Sequence, residues 1–125
     1  MAGLTLDSAK IIADAALAAG RKQGFMPLTV AVLDAGGHLV AFLREDRSGI
    51  LRPEVAIGKA YGALGMGTST RLLRDRLADR PAFQAALAAA SDGKFIPVPG
   101  GVLIRDKAGE VIGAVGISGE TSDKD

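Results

Sequence analysis

The chain has 125 residues, of which 48% are hydrophobic and 4% aromatic, and its formal net charge at pH 7 is +1. This length and apolar content predict a single domain over residues 1–125 with a sizeable core. The near-zero charge gives no electrostatic footprint for nucleic acid or an anionic membrane. Cysteine is absent, which excludes a disulfide framework, a thiolate nucleophile and a cysteine metal site.

No targeting or membrane-spanning pattern stands out in the sequence. The first residues, MAGLTLDSAKII, lack the basic start and following apolar run of a secretory signal. No stretch approaches the roughly 20 apolar residues that span a bilayer. We therefore expect a cytoplasmic protein.

The chain opens with a predicted amphipathic helix over residues 6–23. Thr5 is placed to cap its start, and Gly24 can end it in a left-handed conformation. Three more helices are predicted after the first hairpin, over residues 53–65, 70–78 and 81–90.

The helix predicted over residues 53–65 contains Gly58, Gly62 and Gly65. Each glycine costs up to about 1 kcal/mol of helix propensity relative to alanine, which predicts close contact with another backbone or with a flat ligand. In the next helix, Arg71 and Asp75 are spaced i,i+4 and predict a solvated ion pair.

Two apolar segments, residues 28–46 and 98–119, each predict a β-hairpin, with turns at residues 35–37 and 107–109. Their strands are apolar on both sides, so both faces must be covered. We expect the helices to cover only one face well, which leaves the other for a second layer, a ligand or another subunit. The element order indicates an α+β fold with one antiparallel sheet.

His38 is the one histidine and directly follows the Gly36-Gly37 turn. It is either a half-exposed strand residue or a functional one, namely an axial ligand to haem iron or a proton shuttle near neutral pH. One histidine cannot build a zinc site, which usually needs three or four protein ligands.

Lys59 has no acidic partner among its helical neighbours Val55, Ala56 and Ala63. Such a lysine either snorkels to solvent or points into a cavity, and the flanking glycines favour the cavity. There it could hold a carboxylate or phosphate, or act as an acid or base with a lowered pKa.

Weaker candidates lie elsewhere in the chain. Arg44 and Asp46 end the first hairpin, and strand alternation puts Arg44 on the same face as His38. The two residues are either a solvated ion pair, or Arg44 lies beside the histidine as an anion-binding partner. Thr68, Ser69 and Thr70 form a segment between two predicted helices, which either caps a helix or turns a hydroxyl toward the pocket. Residues 99–101, Pro-Gly-Gly, form a connecting turn or a small anion-binding concavity.

Four ordered motifs resemble one known family: VLDAGGHLVAFLRED, IGKAYGALGMGTST, the PGG turn and DKAGEVIGAVGISG. They are similar to the GlcG/HbpS family, which includes the C-terminal domain of PduO-type proteins, and the resemblance covers almost the whole chain. It implies a profilin-like α+β domain, with a single antiparallel sheet of about five strands flanked by helices. It also implies a homo-oligomer, often of dimers that build tetramers or octamers, and some members bind haem.

The resemblance carries motif residues onto this chain. They are Asp34, Gly37, His38, Arg44, Asp46, Lys59, Ala60, Thr68, Pro99, Gly100, Gly101, Gly116, Ser118 and Gly119. The glycines, Asp34 and Pro99 are expected to be structural. Relatives usually continue past GISG, through an acidic stretch like residues 122–125, into another helix; that helix is either dispensable here or absent from this sequence, which would expose an apolar groove.

Three functional hypotheses follow. The first is an oligomeric protein that binds haem or a small molecule near a subunit seam, with ligand contacts from His38, Arg44, Asp46, Lys59, Thr68, Pro99, Gly100 and Gly101. The second is an enzyme acting on an organic acid or aromatic catabolite, in which Lys59 and Arg44 hold an anionic group and His38 moves a proton. The third is a structural or sensory oligomer.

Overall fold

The computed structural model describes residues 3–121 and 123–125. This part of the chain forms one antiparallel sheet with the strand order β2-β1-β4-β3 and four helices. The elements are α1 (Leu6–Lys22), β1 (Thr29–Asp34), β2 (Leu39–Arg44), α2 (Arg52–Met66), α3 (Thr70–Leu77), α4 (Pro81–Ala90), β3 (Gly101–Arg105) and β4 (Val111–Ser118). The predicted α+β class is confirmed, with four strands in place of about five.

The first helix follows its local signals. The Thr5 side chain accepts a hydrogen bond from the Ser8 amide, and Gly24 adopts a φ of 70° just after the helix. The buried face of α1 packs Ala9 and Ala13 against strand β1. The predicted cap and the predicted stop are both confirmed.

Helices cover both faces of β1. α1 lies on β1 and β2, whereas α2 lies on the opposite face across β4, β1 and β3. The expectation that the helices cover only one face well is therefore wrong for β1, whereas on β4 the residues facing α1, Val115 and Ile117, stay half-buried. Because the two helices are offset, each outer strand exposes one face: Leu39 and Phe42 of β2 are 51% and 36% exposed, and Val102 of β3 is 52% exposed.

The contact between α2 and the sheet is a backbone contact. A Cβ at Gly116 would overlap the carbonyl oxygen of Ala56, and one at Gly101 would overlap that of Lys59. The helical glycines Gly58 and Gly62 face Phe95 and Ile96, so the predicted close contact is confirmed there and is intramolecular. Gly65 has nothing within 4 Å of its Cβ position, so it makes no such contact with another backbone.

The two hairpin turns have the same hydrogen-bond pattern. In the first, the Asp34 Oδ1 accepts from the amides of Gly36 and His38, both at 3.0 Å. In the second, the Asp106 Oδ1 accepts from the amides two and four residues later, both at 2.9 Å. Each turn has a glycine with positive φ, 82° and 85°, three residues after the aspartate. His38 and Glu110 therefore occupy equivalent positions.

The predicted ion pair between Arg71 and Asp75 does not form. Arg71 donates instead to the carbonyl of Asp123, at 2.6 Å, and Asp75 pairs with its neighbour Arg74. Helix α3 is capped by Ser69, whose hydroxyl accepts from the Leu72 amide. Within the described residues, no helix is both long and apolar enough to cross a membrane.

The glycine contacts generate a stability prediction. We expect Gly116→Ala to destabilise the protein by about 3 kcal/mol or more, because the added methyl meets backbone that cannot move without shifting α2. Gly65→Ala is the control, since Gly65 lies on α2 and its added methyl enters open space. This substitution is expected to raise the free energy of unfolding by up to about 1 kcal/mol. Urea unfolding measures both, and equal effects of the two substitutions would contradict this account of the packing.

The first turn generates a pH prediction. Its hydrogen bonds lower the pKa of Asp34 below its ordinary value of 3.8, so its stabilisation is present above that pH and is lost as pH falls through the lowered pKa. We expect Asp34→Ala to lower the Tm at pH 7 by about 3–6 °C, equivalent to about 1 kcal/mol, with a smaller deficit at about pH 2. Calorimetry at both pH values tests this, with the exposed Asp46→Ala as control; a deficit independent of pH would count against the turn contacts.

Candidate functional site

The candidate residues lie at two opposite ends of the sheet. Both hairpin turns, with His38, are at one end, because β1 and β4 are antiparallel and Asp34 pairs with Gly113. Lys59 and the Pro-Gly-Gly turn are at the other end, near Ile117. Val111 and Ile117 of β4 are six positions apart, which separates the two ends by about 20 Å.

At the turn end, Asp34 holds the histidine. The Nδ1 of His38 lies 3.1 and 3.3 Å from the two carboxylate oxygens of Asp34, and the His38 side chain is 80% exposed. The hydrogen bond from the His38 amide is the largest cause that lowers the pKa of Asp34, and the ring contact adds to it. An ionised Asp34 therefore orients the imidazole and leaves Nε2 as the ring nitrogen available to a ligand or proton.

A groove of about 700 Å³ runs between the two turns beside this pair. Its lining combines apolar side chains with the turn aspartates, namely Gly3, Leu4, Asp34, Ala35, Gly36, His38, Asp106, Glu110, Val111 and Ile112. Asp34 and Asp106 each use a carboxylate oxygen to bind turn amides. The side chains of His38 and Glu110, at the equivalent positions of the two turns, are not needed to form the turns.

At the opposite end, Lys59 is fully buried and paired. Its Nζ donates to the carbonyl of Ile117 at 2.9 Å and to the Asp125 Oδ2 at 3.0 Å, and both charged side chains are 1% exposed. The other carboxylate oxygen of Asp125 accepts from the Glu120 amide at 2.9 Å. Lys59 is buried and does not snorkel to solvent, but its ammonium is packed against Ile117 and Asp125 and faces no cavity among the described residues. Its acidic partner comes from outside the helix.

Burial lowers the pKa of Lys59, and the nearby charge of Arg52 lowers it further. The contact with Asp125 acts in the opposite direction but does not restore the ordinary value. The charged form of Lys59 is therefore less stable in the folded protein than in water. The Asp125 carboxylate offsets only part of the free-energy cost of burying that charge.

The Pro-Gly-Gly turn lies directly against Lys59. Pro99 is buried, and a Cβ on Gly100 would lie 2.9 Å from the Lys59 Nζ. The amide of Gly101 donates to the Thr70 Oγ1 at 2.8 Å. This turn amide is therefore bonded within the fold and is not available to an anion. Thr68 lies apart from it, half-buried in the loop after α2, and its amide donates to the Ala63 carbonyl.

Arg44 does not lie beside His38. The two residues are at opposite ends of β2, six positions or about 20 Å apart. A bulge also breaks their expected shared face, because Val32 pairs with Ala41 whereas Leu33 pairs with Leu39. Arg44 donates to the carbonyl of Ser48 at 3.0 Å.

Asp46 is exposed and lines a shallow groove together with Arg44 and Glu45. Neither Arg44 nor Asp46 joins the histidine end. The geometry needed for one site built from His38, Arg44 and Lys59 is therefore not formed.

Arg52 and Asp125, both near Lys59, are not among the residues predicted from the sequence. Arg52 is seven residues before Lys59 on α2, a spacing that puts the two on one helix face, and its Nη1 donates to the Ser118 Oγ at 3.1 Å. Asp125 reaches the site through a contact with a residue 66 positions away in the sequence and has no local signal. Thr70 belongs to the predicted capping segment, and its hydroxyl accepts from the Pro-Gly-Gly turn. Among the described residues, no three His, Cys, Asp or Glu side chains are grouped so as to hold a metal ion.

Comparisons with known proteins agree with this fold. The chain is 30% identical, over its whole length and 86% of the other protein, to the uncharacterized 15.0 kDa protein in the dhaT-dhaS intergenic region of Citrobacter freundii. A double mutant of HbpS from Streptomyces reticuli superposes with a TM-score of 0.83 at 29% identity, covering 100% of this chain and 81% of that one.

A structure of PduOC in complex with haem superposes with a TM-score of 0.86 at 26% identity, covering 98% of this chain and 87% of that one. Residues 4–125 match the family described as haem degrading protein HbpS-like. That match spans nearly the whole chain, and the protein therefore belongs to the HbpS-like family.

Proposed function

We propose that this chain binds haem in the groove between its two hairpin turns, with His38 as the iron ligand and a second copy of the chain closing the groove at a subunit seam. Membership of the HbpS-like family and similarity to a PduOC structure in complex with haem support the choice of ligand. The observation that carries the proposal is the contact between His38 and Asp34.

A histidine that ligates a metal commonly gives its other ring N–H to a carboxylate, which fixes the tautomer and makes the ligating nitrogen more basic. Asp34 is in that position, 3.1 Å from Nδ1. Nε2 of His38 is then the nitrogen that would ligate haem iron, as imidazole does in many haem proteins. The high exposure of the ring leaves room for a ligand as large as a porphyrin.

The groove is suited to an apolar, flat ligand on one side. Leu4, Val111 and Ile112 give it an apolar wall, and its volume of about 700 Å³ lies within the usual range for small-molecule sites. Such sites bury most of the ligand surface, which an open groove in one chain does not do. A second subunit would supply the missing wall.

The exposed face of β2 supports the position of that seam. Leu39 directly follows His38 and is 51% exposed, and Phe42 lies farther along the same face. β2 is also an edge strand, with backbone groups free to meet another chain. A copy that pairs with the edge of β2 and covers this patch would reach the histidine, which directly precedes Leu39 at the start of that edge.

The enzymatic alternative, in which His38 moves a proton on an acid held by Lys59 and Arg44, is not favoured. A general base must be within about 3 Å of the proton it takes, or one water away. The separation of about 20 Å between the two ends of the sheet is far larger than that.

The haem proposal predicts the effect of removing the imidazole. In an absorbance titration with haemin, we expect a saturable Soret band for the native chain and at least a tenfold rise in Kd for His38→Ala, because the iron loses its protein ligand. Glu54→Ala is the control, since it removes an exposed side chain on α2 that does not line the groove; its Kd is expected to stay within about twofold. Identical titrations for all three proteins would remove His38 as the ligand.

The seam proposal predicts a loss of self-association. Placing a charge on the exposed face of β2, in Phe42→Asp, is expected to shift the chain to monomers at micromolar concentration, because the buried carboxylate would lack a partner. Leu72→Asp on α3 is the control, as another exposed apolar position outside this face. Light scattering measures the mass, and an unchanged oligomer in Phe42→Asp would place the seam elsewhere.

A further inference from the structure

Lys59 is a buried cation that the proposed haem site does not use. Its side chain is 1% exposed, yet lysine is almost never fully buried unless it is paired. Its hydrogen bonds go to a backbone carbonyl and to the carboxylate of Asp125. The single charged group that compensates it thus arrives from a segment 66 residues away in the sequence.

We infer that Lys59 is the recognition point of a carboxylate-binding site, that the chain's own Asp125 occupies this site, and that a small organic acid binds by displacing the Asp125 carboxylate. The inference concerns the end of the sheet opposite to His38. It does not rest on the proposed haem function.

The surroundings of the Asp125 carboxylate are those of a ligand site. One oxygen lies 3.0 Å from the Lys59 ammonium, and the other accepts from the Glu120 amide at 2.9 Å. A second cation, Arg52, is close enough to influence Lys59 and is bonded to the Ser118 hydroxyl. Any planar carboxylate of similar size could make the same pair of contacts to an ammonium and an amide.

The lysine side of this contact is fixed. Lys59 lies on α2, where its own carbonyl packs against Gly101 at the start of β3. Its Nζ is bonded to Ile117 at the end of β4. Removing Lys59 from the site would require α2 to separate from the sheet, so the carboxylate is the partner that can leave.

The acidic segment, defined here as residues 123–125, is held by polar contacts. The sequence from Glu120 onward, ETSDKD, contains no apolar residue. Outside the Lys59 contact, Asp123 bonds to Arg71 through its carbonyl and to Arg74 through its carboxylate, and the Asp123 side chain is 75% exposed.

The amides of Lys124 and Asp125 also donate to the Thr121 carbonyl, at 2.9 and 3.1 Å. Exposed ion pairs such as Asp123–Arg74 contribute little to stability. Apart from the buried contact with Lys59, which an external carboxylate would reproduce, the segment is therefore held mainly by two backbone hydrogen bonds.

Removing the internal carboxylate should open the site. A tethered group competes at an effective concentration of the order of millimolar. With oxalate as the probe, followed through the amide NMR signals of Gly100 and Glu120 at constant ionic strength, we expect Asp125→Ala to bind at least tenfold more tightly than the native chain. Asp46→Ala, which removes an exposed carboxylate elsewhere, should bind as the native chain does.

The double variant Asp125→Ala/Lys59→Met tests whether the lysine is responsible. Methionine keeps most of the side-chain length and leaves no unpaired buried charge, so this variant is expected to fold. It should lose oxalate binding. Equal affinity in Asp125→Ala and the native chain, or binding that survives Lys59→Met, would overturn the inference.

A second route avoids the risk that Asp125→Ala does not fold. Arg71→Ala/Arg74→Ala weakens the hold on the acidic segment while leaving Lys59, Asp125 and Arg52 intact. We expect it to bind oxalate at least threefold more tightly than the native chain, and unchanged affinity in this folded variant would contradict displacement. Because haemin titration reports on the other end of the sheet, failure of the haem proposal and failure of this inference give separate signals.

Discussion

The close backbone contact between α2 and the sheet determines where Lys59 and the Pro-Gly-Gly turn lie. Gly116 and Gly101 allow the carbonyls of Ala56 and Lys59 to approach strands β4 and β3 without a side chain between them. At this spacing the lysine cannot reach solvent past the sheet, so its side chain is confined to the junction of α2, β4 and the Pro-Gly-Gly turn. A larger residue at either glycine would move the helix outward and release the lysine.

The buried lysine in turn constrains the residues around it. An unpaired ammonium in a protein interior is costly enough that the group either loses its proton or finds a partner. Its helical neighbours Val55, Ala56 and Ala63 cannot supply a carboxylate, and the Ile117 carbonyl supplies only a dipole. The Asp125 carboxylate meets this need, which explains why a wholly polar segment packs against an apolar α2–sheet junction. The same electrostatic demand would be met by a carboxylate from another molecule.

Local patterns predicted most of the fold, because helix caps and turn glycines act over a few residues. Thr5, Gly24 and the two glycine turns have the roles expected from their neighbours in sequence. The failures involve distant contacts. The bulge opposite Val32 and Leu33 depends on how β2 pairs with β1. Because of this bulge, Arg44 and His38 do not share the strand face that simple alternation predicts. The partnership of Lys59 with Asp125 spans most of the chain, and only the inward direction of the lysine could be predicted.

In the two hairpin turns, the residues that fix the backbone differ from the residues whose side chains are free to bind a ligand. Asp34 and Asp106 make the same amide contacts, so neither turn needs a particular residue at the equivalent positions His38 and Glu110. The strands that follow differ: β4 is central and paired on both sides, whereas β2 is an edge strand with an exposed apolar face. The histidine therefore occupies the turn that leads into the exposed strand, where a second chain and a ligand can meet. A histidine at position 110 would precede a strand with no free edge, and it could not serve a seam in the same way.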